Sequence, residues 1–359
     1  MQLARTASGE TLTAPTAPAD DASEAAAMAQ WQHRLREYRQ PDARRATWQL
    51  VTTIGSYVGA WVAMWFALAV SWWLAVPLAV LTGGVMVRVF ILFHDCGHGS
   101  FFASRRANDF WGVVTGWLTL TPYQQWRTEH AVHHGAAGDL DRRGIGDIWT
   151  MTVKEYDEAS PWRRLSYRIQ RSPVVLFGVA PFVLFLVMQR VARRDASPSE
   201  RASVRWMNVA VAATAVGLAW AFGLVPYLIL QAIVLLVAGA SGIGLFYLQH
   251  QFEDAYWDRG AEWNYAAAAL QGSSYLRLPR VLQWFSGNIG FHHIHHLNPR
   301  IPNYHLQRCH ESEPAFQTVR PLSVRGMLRA LHLRLWHEPT RKLVSFRQAR
   351  RLQRQRAAG

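Results

Sequence analysis

Eight histidines of this chain stand in three tight groups: His94 and His98 in HDCGH, His130, His133 and His134 in HAVHH, and His292, His295 and His296 in HHIHH. Residues three and four apart share one helical face, so each group presents convergent imidazoles. One such pair is an ordinary event on a polar helix surface, whereas three groups that take eight of the fifteen histidines are not. Rings gathered beside apolar segments need partners for their nitrogens, and a metal supplies one. Imidazole suits zinc, copper, iron or nickel, and eight or nine donors exceed the four that a single zinc takes. The set fits two metal ions with open positions, as oxygen activation requires.

A ninth candidate is His250 in YLQHQFED, at the end of an apolar block; an interfacial histidine without a metal is the competing reading. His293 is the spare ring of its cluster and is expected, with Asp95, Asp147 and Asn288, just outside the ligands, where a partner on the second ring nitrogen orients each donor. Glu129, Asp139 and Asp141 are weaker candidates for that role. His33, His305, His310, His332 and His337 lack partner spacing and default to surface roles.

The elements that must carry these rings are hydrophobic. Val51 to Val70 is charge-free over about 20 residues, the length that crosses about 30 Å of hydrocarbon. Trp72 to Phe93 follows, broken only by Arg88, which is expected to snorkel to an interface. Trp206 to Phe222 and Pro226 to Leu248 make a second pair joined at Gly223. The fold class predicted is therefore all-α and integral to a membrane, with four transmembrane helices in two hairpins, interfacial helices and a histidine-rich cap. Pro173 to Met188 is apolar but short, and a lone extra crossing there would separate the histidines before and after it. A re-entrant or interfacial helix is expected instead; the alternative is that Phe110 to Leu120 also crosses and restores parity. Gly239, Gly242 and Gly244 lie inside a predicted span and not between a strand and a helix, so they serve close helix packing or substrate room and not dinucleotide binding.

The 359 residues are half hydrophobic, with mean hydropathy near zero because very apolar and very basic stretches average out. The net charge of +14 is concentrated beside the apolar blocks and at the C-terminus, which points to a membrane surface and not to nucleic acid. Arg34 to Arg45 and Arg190 to Arg205 precede the two hairpins, so both termini and all the histidine clusters are placed on the cytoplasmic side. Two cysteines, Cys96 and Cys309, give no disulfide framework. Residues 1 to about 25 lack an apolar core and read as a disordered tail. The chain divides into a basic N-terminal segment (1–45), a membrane domain (46–310) and a basic C-terminal tail (311–359) whose arginines suit anionic headgroups.

From about Val51 to about Tyr304 the sequence resembles the membrane fatty acid desaturases, bacterial acyl-lipid desaturases in particular. The resemblance is carried by HDCGHGSFF, TPYQQWRTEHAVHH, GDLDRRGIGDIWTMTVKEY, FYLQHQFEDAYW and GNIGFHHIHHLNPRIPNYHL. It implies a di-iron centre, two iron ions held by His94, His98, His130, His133, His134, His250, His292, His295 and His296, in a bacterial inner membrane. It implies a reaction with molecular oxygen and two electrons that leaves a cis double bond in the acyl chains of membrane lipids. Trp111, Trp117, Trp126, Phe246, Tyr256 and Trp257 are candidates to line the acyl tunnel. The HPGG string of fused haem domains is absent from the sequence. Electrons are therefore expected from a separate acidic carrier such as ferredoxin or flavodoxin, steered by the basic face. A hydroxylase or carotenoid oxygenase would use the same site. A non-catalytic metal carrier or haem protein would place its ligands within the spans, not beyond one end of them.

Overall fold

The computed structural model describes residues 21–358, so the tail expected at the N-terminus lies outside the described residues up to residue 20. Helix α1 (Asp21–Arg34) precedes the first long pair, α2 (Ala43–Leu68) and α3 (Trp72–His98). Asp42 caps α2 by accepting from the N–H groups of Arg44 and Arg45 at 2.9 and 3.1 Å, and Ser71 caps α3 through Trp73. Helices α4 (Arg105–Leu118) and α5 (Tyr123–Ala136) follow, then strand β1 (Met151–Thr152), α6 (Val153–Glu158) and α7 (Pro161–Gln170). After a π turn comes α8 (Ala180–Leu186), then the second long pair, α9 (Pro198–Phe222) and α10 (Leu224–His250), which turns at Gly223 with φ 82°.

These four long helices are long and apolar enough to cross a membrane. Their outward faces carry Trp65, Phe66, Val209 and Trp220, an apolar surface suited to lipid. Inside, α2, α3 and α10 close on Tyr57, Trp61, Met64, Leu230 and Val234. The helices run further than the apolar blocks suggest, because α3 continues to His98 and α10 to His250, which puts ligand candidates on rigid helix ends.

Arg88 does not snorkel. It is buried, its Nε donates to Thr53 Oγ1 at 3.0 Å, it also donates to the Trp284 carbonyl, and its guanidinium lies 4.5 Å from the Trp284 ring centre. Those partners replace water for the charge, so it need not reach an interface.

The cap is built from α11 (Tyr265–Gln271), α12 (Arg280–Phe285), α13 (His292–Leu297), α14 (Asn303–Ser312) and α15 (Pro314–Gln317). Trp31 and Leu35 pack with Ile294, Leu306 and Phe316 in its core. Beyond it, α16 (Val324–Ala330), β2 (Leu335–His337), β3 (Lys342–Val344) and α17 (Phe346–Ala358) complete the described chain. The stretch expected as a tail thus contributes a small sheet: β2 pairs in parallel with β1 (Met151 opposite Leu335) and antiparallel with β3.

Candidate metal centre

Each histidine candidate is placed by a helix end. His94 and His98 close α3, His130, His133 and His134 occupy the last turns of α5, His250 ends α10, and His292, His295 and His296 form the short α13. One ring nitrogen each from His94, His98, His130, His134 and His295 lies within 4.8 Å of the others, and His133, His250 and His296 form a second such group. His292 joins the second, its Nε2 3.0 Å from that of His250. The groups abut: His134 and His296 stack with ring centres 4.2 Å apart.

This convergence bears on the parity question raised by the sequence. His98 and His130 meet across α4, so α4, which covers most of Phe110–Leu120, does not carry the chain to the other side of a bilayer. His134 and His250 lie at one site across a segment that already contains the pair α9 and α10. If α9 and α10 each cross a bilayer, the α7–α8 stretch returns to the side on which it began, a course that its 58° bend and the seven residues of α8, about 10 Å of helix, fit.

The rings suit metal binding. Nε2 atoms of His134 and His130 are 3.1 Å apart and those of His295 and His134 3.0 Å apart. Two donors at right angles around one ion at about 2.1 Å would stand about 3 Å from each other. Nε2 of His98, His133 and His296 is buried with no hydrogen-bond partner among the described residues, each a cost of about 1–3 kcal/mol that a metal would remove. Burial, then the crowding of neighbouring imidazoles, holds His130, His134, His292, His295 and His296 well below the ordinary histidine value of 6.5. The rings are accordingly neutral, with lone pairs free to coordinate.

Two carboxylates touch ligand candidates from behind. Asp147 Oδ1 lies 2.5 Å from His133 Nδ1, and Asp95 Oδ1 lies 3.2 Å from His94 Nδ1; each fixes the tautomer that turns Nε2 inward. Gly146, at φ 71°, lets the Asp147 loop pass His133, since a Cβ there would stand 3.0 Å from the His133 Cβ. Asp139 instead accepts from the Asp141 N–H and from Arg142, and Asp141 pairs with Arg259 at 2.7 Å. Burial raises the Glu129 carboxyl above its ordinary range.

The two remaining second-rank candidates sit elsewhere. His293 points away from the other rings into the cap core, its ring 5.6 Å from those of Tyr275 and Phe316, and burial pushes it down to about 3. The Asn288 side chain donates to the Asn303 carbonyl at 3.3 Å. Asn303 itself was absent from the sequence reading, yet it donates to Asp95 Oδ2 through its backbone N–H at 2.7 Å and its Nδ2 at 2.8 Å, and its Oδ1 accepts from Gln49 at 3.0 Å. That relay ties α2 and α14 to His94. An asparagine after a proline in PNYHL carries no spacing signal, so only the fold reveals it.

Of the aromatic candidates, Trp126 stacks on His130 with centres 4.3 Å apart, and Phe246 lies 5.1 and 5.0 Å from His133 and His250. Tyr256 and Trp257 line a small cavity with Asp147, Phe246 and His250. Trp117 donates to Thr214 at 2.9 Å, and Trp111 packs against the buried cluster that contains Phe93 and Tyr123.

Comparison with known proteins agrees with this geometry. The fatty acid desaturase family profile matches residues 71–325. A fatty acid desaturase of Bacillus subtilis (strain 168) is 41% identical over 310 residues, 86% of this chain and 88% of the relative. Two proteins of Synechocystis sp. are more distant: an sn-1 acyl-lipid omega-3 desaturase (ferredoxin), 27% identical over 71% of this chain and 69% of the relative, and an sn-1 oleoyl-lipid 12-desaturase, 26% identical over 75% and 76%. With four membrane-length helices, three convergent histidine clusters and that extent of similarity, the chain belongs to the fatty acid desaturase family.

Proposed function

We propose that His94, His98, His130, His133, His134, His250, His292, His295 and His296 hold two iron ions, and that the protein uses them with molecular oxygen to place a cis double bond in acyl chains of membrane lipids. The observation that carries this reading is the pair of abutting histidine groups, five nitrogens in one and three in the other with His292 beside them. Nine histidine nitrogen donors on two adjoining centres suit two ions with open positions better than closed tetrahedral zinc. When bound, the irons would supply the oxygen activation and hydrogen abstraction that unactivated C–H bonds demand and no side chain offers.

The chain's own residues set the geometry. Asp95 and Asp147 hold His94 and His133 in one tautomer, and the helix ends fix the rings to rigid elements. Trp126 and Phe246 wall the rings with apolar surface, which keeps water from the site and suits an alkyl chain. Residues 46–310 would be the working unit. The arginines before α2 and α9 support a cytoplasmic site in a bacterial inner membrane. On α17, Arg347, Arg350, Arg351 and Arg354 are exposed for anionic headgroups. Electrons would come from a separate carrier, as the name of the ferredoxin-linked relative suggests.

Expression in a host that makes only saturated and monounsaturated lipids, followed by mass spectrometry of the fatty acids, is expected to reveal a new unsaturated species. Hydroxylated products, or no change from folded and iron-loaded protein, would overturn the reading. His134→Ala and His295→Ala are each expected to lose activity and iron together.

A further inference from the structure

Behind the third histidine cluster lies an open cavity of about 400 Å3. Its floor is the chain that leaves α13: Leu297 and Asn298 are buried and directly follow His296. Tyr265 lines it as well and donates from its hydroxyl to the His296 carbonyl at 2.7 Å. The cavity therefore reaches, within one peptide unit, the backbone that carries a ring of the candidate metal site. Gln32 of α1 contributes one wall, and Arg39 and Arg300 give it positive charge. Arg39 is half-buried and Arg300 exposed, and neither guanidinium has an ion-pair partner among the described residues. Nearby acids are engaged elsewhere: Glu313 pairs with Arg34, and Glu37 faces Arg308 at 4.0 Å.

We propose that this cavity is the docking surface for the electron donor, a small acidic one-electron carrier protein whose carboxylates meet Arg39 and Arg300. The inference rests on the desaturase reading. In that reaction two hydrogen atoms leave adjacent methylenes and one O2 becomes two waters, so each turnover also takes two electrons and two protons. Two reduced carriers in succession supply one electron each and are oxidised, and solvent supplies the protons. Electron transfer favours the shortest covalent and hydrogen-bonded route, and at this cavity that route is Leu297 and Tyr265 to His296. Unpaired positive charge at the rim favours encounter with an acidic partner and makes it depend on salt.

The test uses the full chain, iron-loaded and held in zwitterionic lipid nanodiscs, with a reduced plant-type [2Fe–2S] ferredoxin as the probe. Arg39→Glu with Arg300→Glu is expected to weaken ferredoxin binding by about tenfold or more and to flatten its salt dependence, with KM for ferredoxin rising and kcat little moved. Arg163→Glu, the same charge reversal at a single exposed arginine of α7, is expected to shift the affinity by less than about twofold. Iron content and melting midpoint report whether the double variant is folded. If it is not, Arg300→Gln alone is expected to weaken binding by about threefold, since it removes one exposed charge. Unchanged ferredoxin affinity in the folded variants would overturn the proposal. So would loss of binding to phosphatidylglycerol vesicles with ferredoxin affinity intact, which would make the occupant a lipid headgroup. A wild-type protein that binds ferredoxin through these arginines yet forms no double bond would instead sink the desaturase reading.

Discussion

Asn303 places two donors on one oxygen of Asp95, its backbone N–H at 2.7 Å and its Nδ2 at 2.8 Å, while the other oxygen of that carboxylate faces His94 Nδ1 at 3.2 Å. The carboxylate is buried, so without Asn303 it would rotate toward whatever donor remained, and His94 would lose the group that fixes its tautomer. Asn303→Ala keeps the backbone donor but removes the side-chain one. Iron affinity is expected to fall by about 10–100-fold, the range found when such supporting groups are removed. Metal titration with protein in detergent measures it, and unchanged affinity would show that the backbone donor alone suffices.

Asp147 and Asp141 lie six residues apart in one loop but have different partners. Asp147 meets His133 at 2.5 Å, whereas Asp141 pairs with Arg259 at a half-exposed site. Asp147→Asn is expected to weaken iron binding by about 10–100-fold, because the amide no longer stabilises the same ring tautomer. Asp141→Asn is expected to leave iron binding alone and to move the melting midpoint little, because its ion pair with Arg259 is solvent-exposed and screened. Equal effects on bound iron would remove the special role given to Asp147.

The three clusters and the two hairpins were legible in the sequence because their signals are local: a spacing of three or four residues, or a run of about 20 apolar ones. His250, a single ring with no partner spacing, was a candidate only through its place at the end of an apolar block and through the resemblance, because its approach within 3.0 Å of His292 is long-range. Asn303 and Gln49 were invisible for the same reason, since their hydrogen bond joins positions 254 residues apart. Arg88 misled the sequence reading because a charge in an apolar block is compatible with snorkelling or with burial. Only the presence of Thr53 and Trp284 decides between them. His293 shares the spacing of its cluster, but α13 is a buried helix of six residues and one of its faces must pack on the cap core.

Acid should act on the iron-free protein through the same rings. His130, His134, His292, His295 and His296 are held below 6.5 in the fold, whereas in an unfolded chain they would titrate near that value. Above pH 6.5 both states are neutral and stability is flat with respect to these groups. Below it the unfolded chain takes up protons that the folded one refuses, so stability falls as pH falls, by up to about 1.4 kcal/mol per pH unit for each such ring. The melting midpoint of iron-free protein is expected to drop between about pH 7 and pH 5. An acid-independent midpoint would contradict the burial of these imidazoles as neutral groups.

Within the glycine-rich stretch of α10, Gly239 and Gly242 make different demands although both lie in one helix. A Cβ on Gly239 would stand 2.5 Å from the Cβ of Pro181, so α8 packs on α10 only because that position carries no side chain. At Gly242 a Cβ would meet nothing within 4 Å. Gly239→Ala therefore forces α8 away and is expected to destabilise the protein by about 1–3 kcal/mol, the usual effect of overpacking. Gly242→Ala restricts only the unfolded backbone and is expected to be neutral or to stabilise by up to about 1 kcal/mol. Melting midpoints in detergent separate the two. If Gly239→Ala were tolerated as well as Gly242→Ala, α8 would have to be free to move from α10, and the bent α7–α8 segment would not be anchored by this contact.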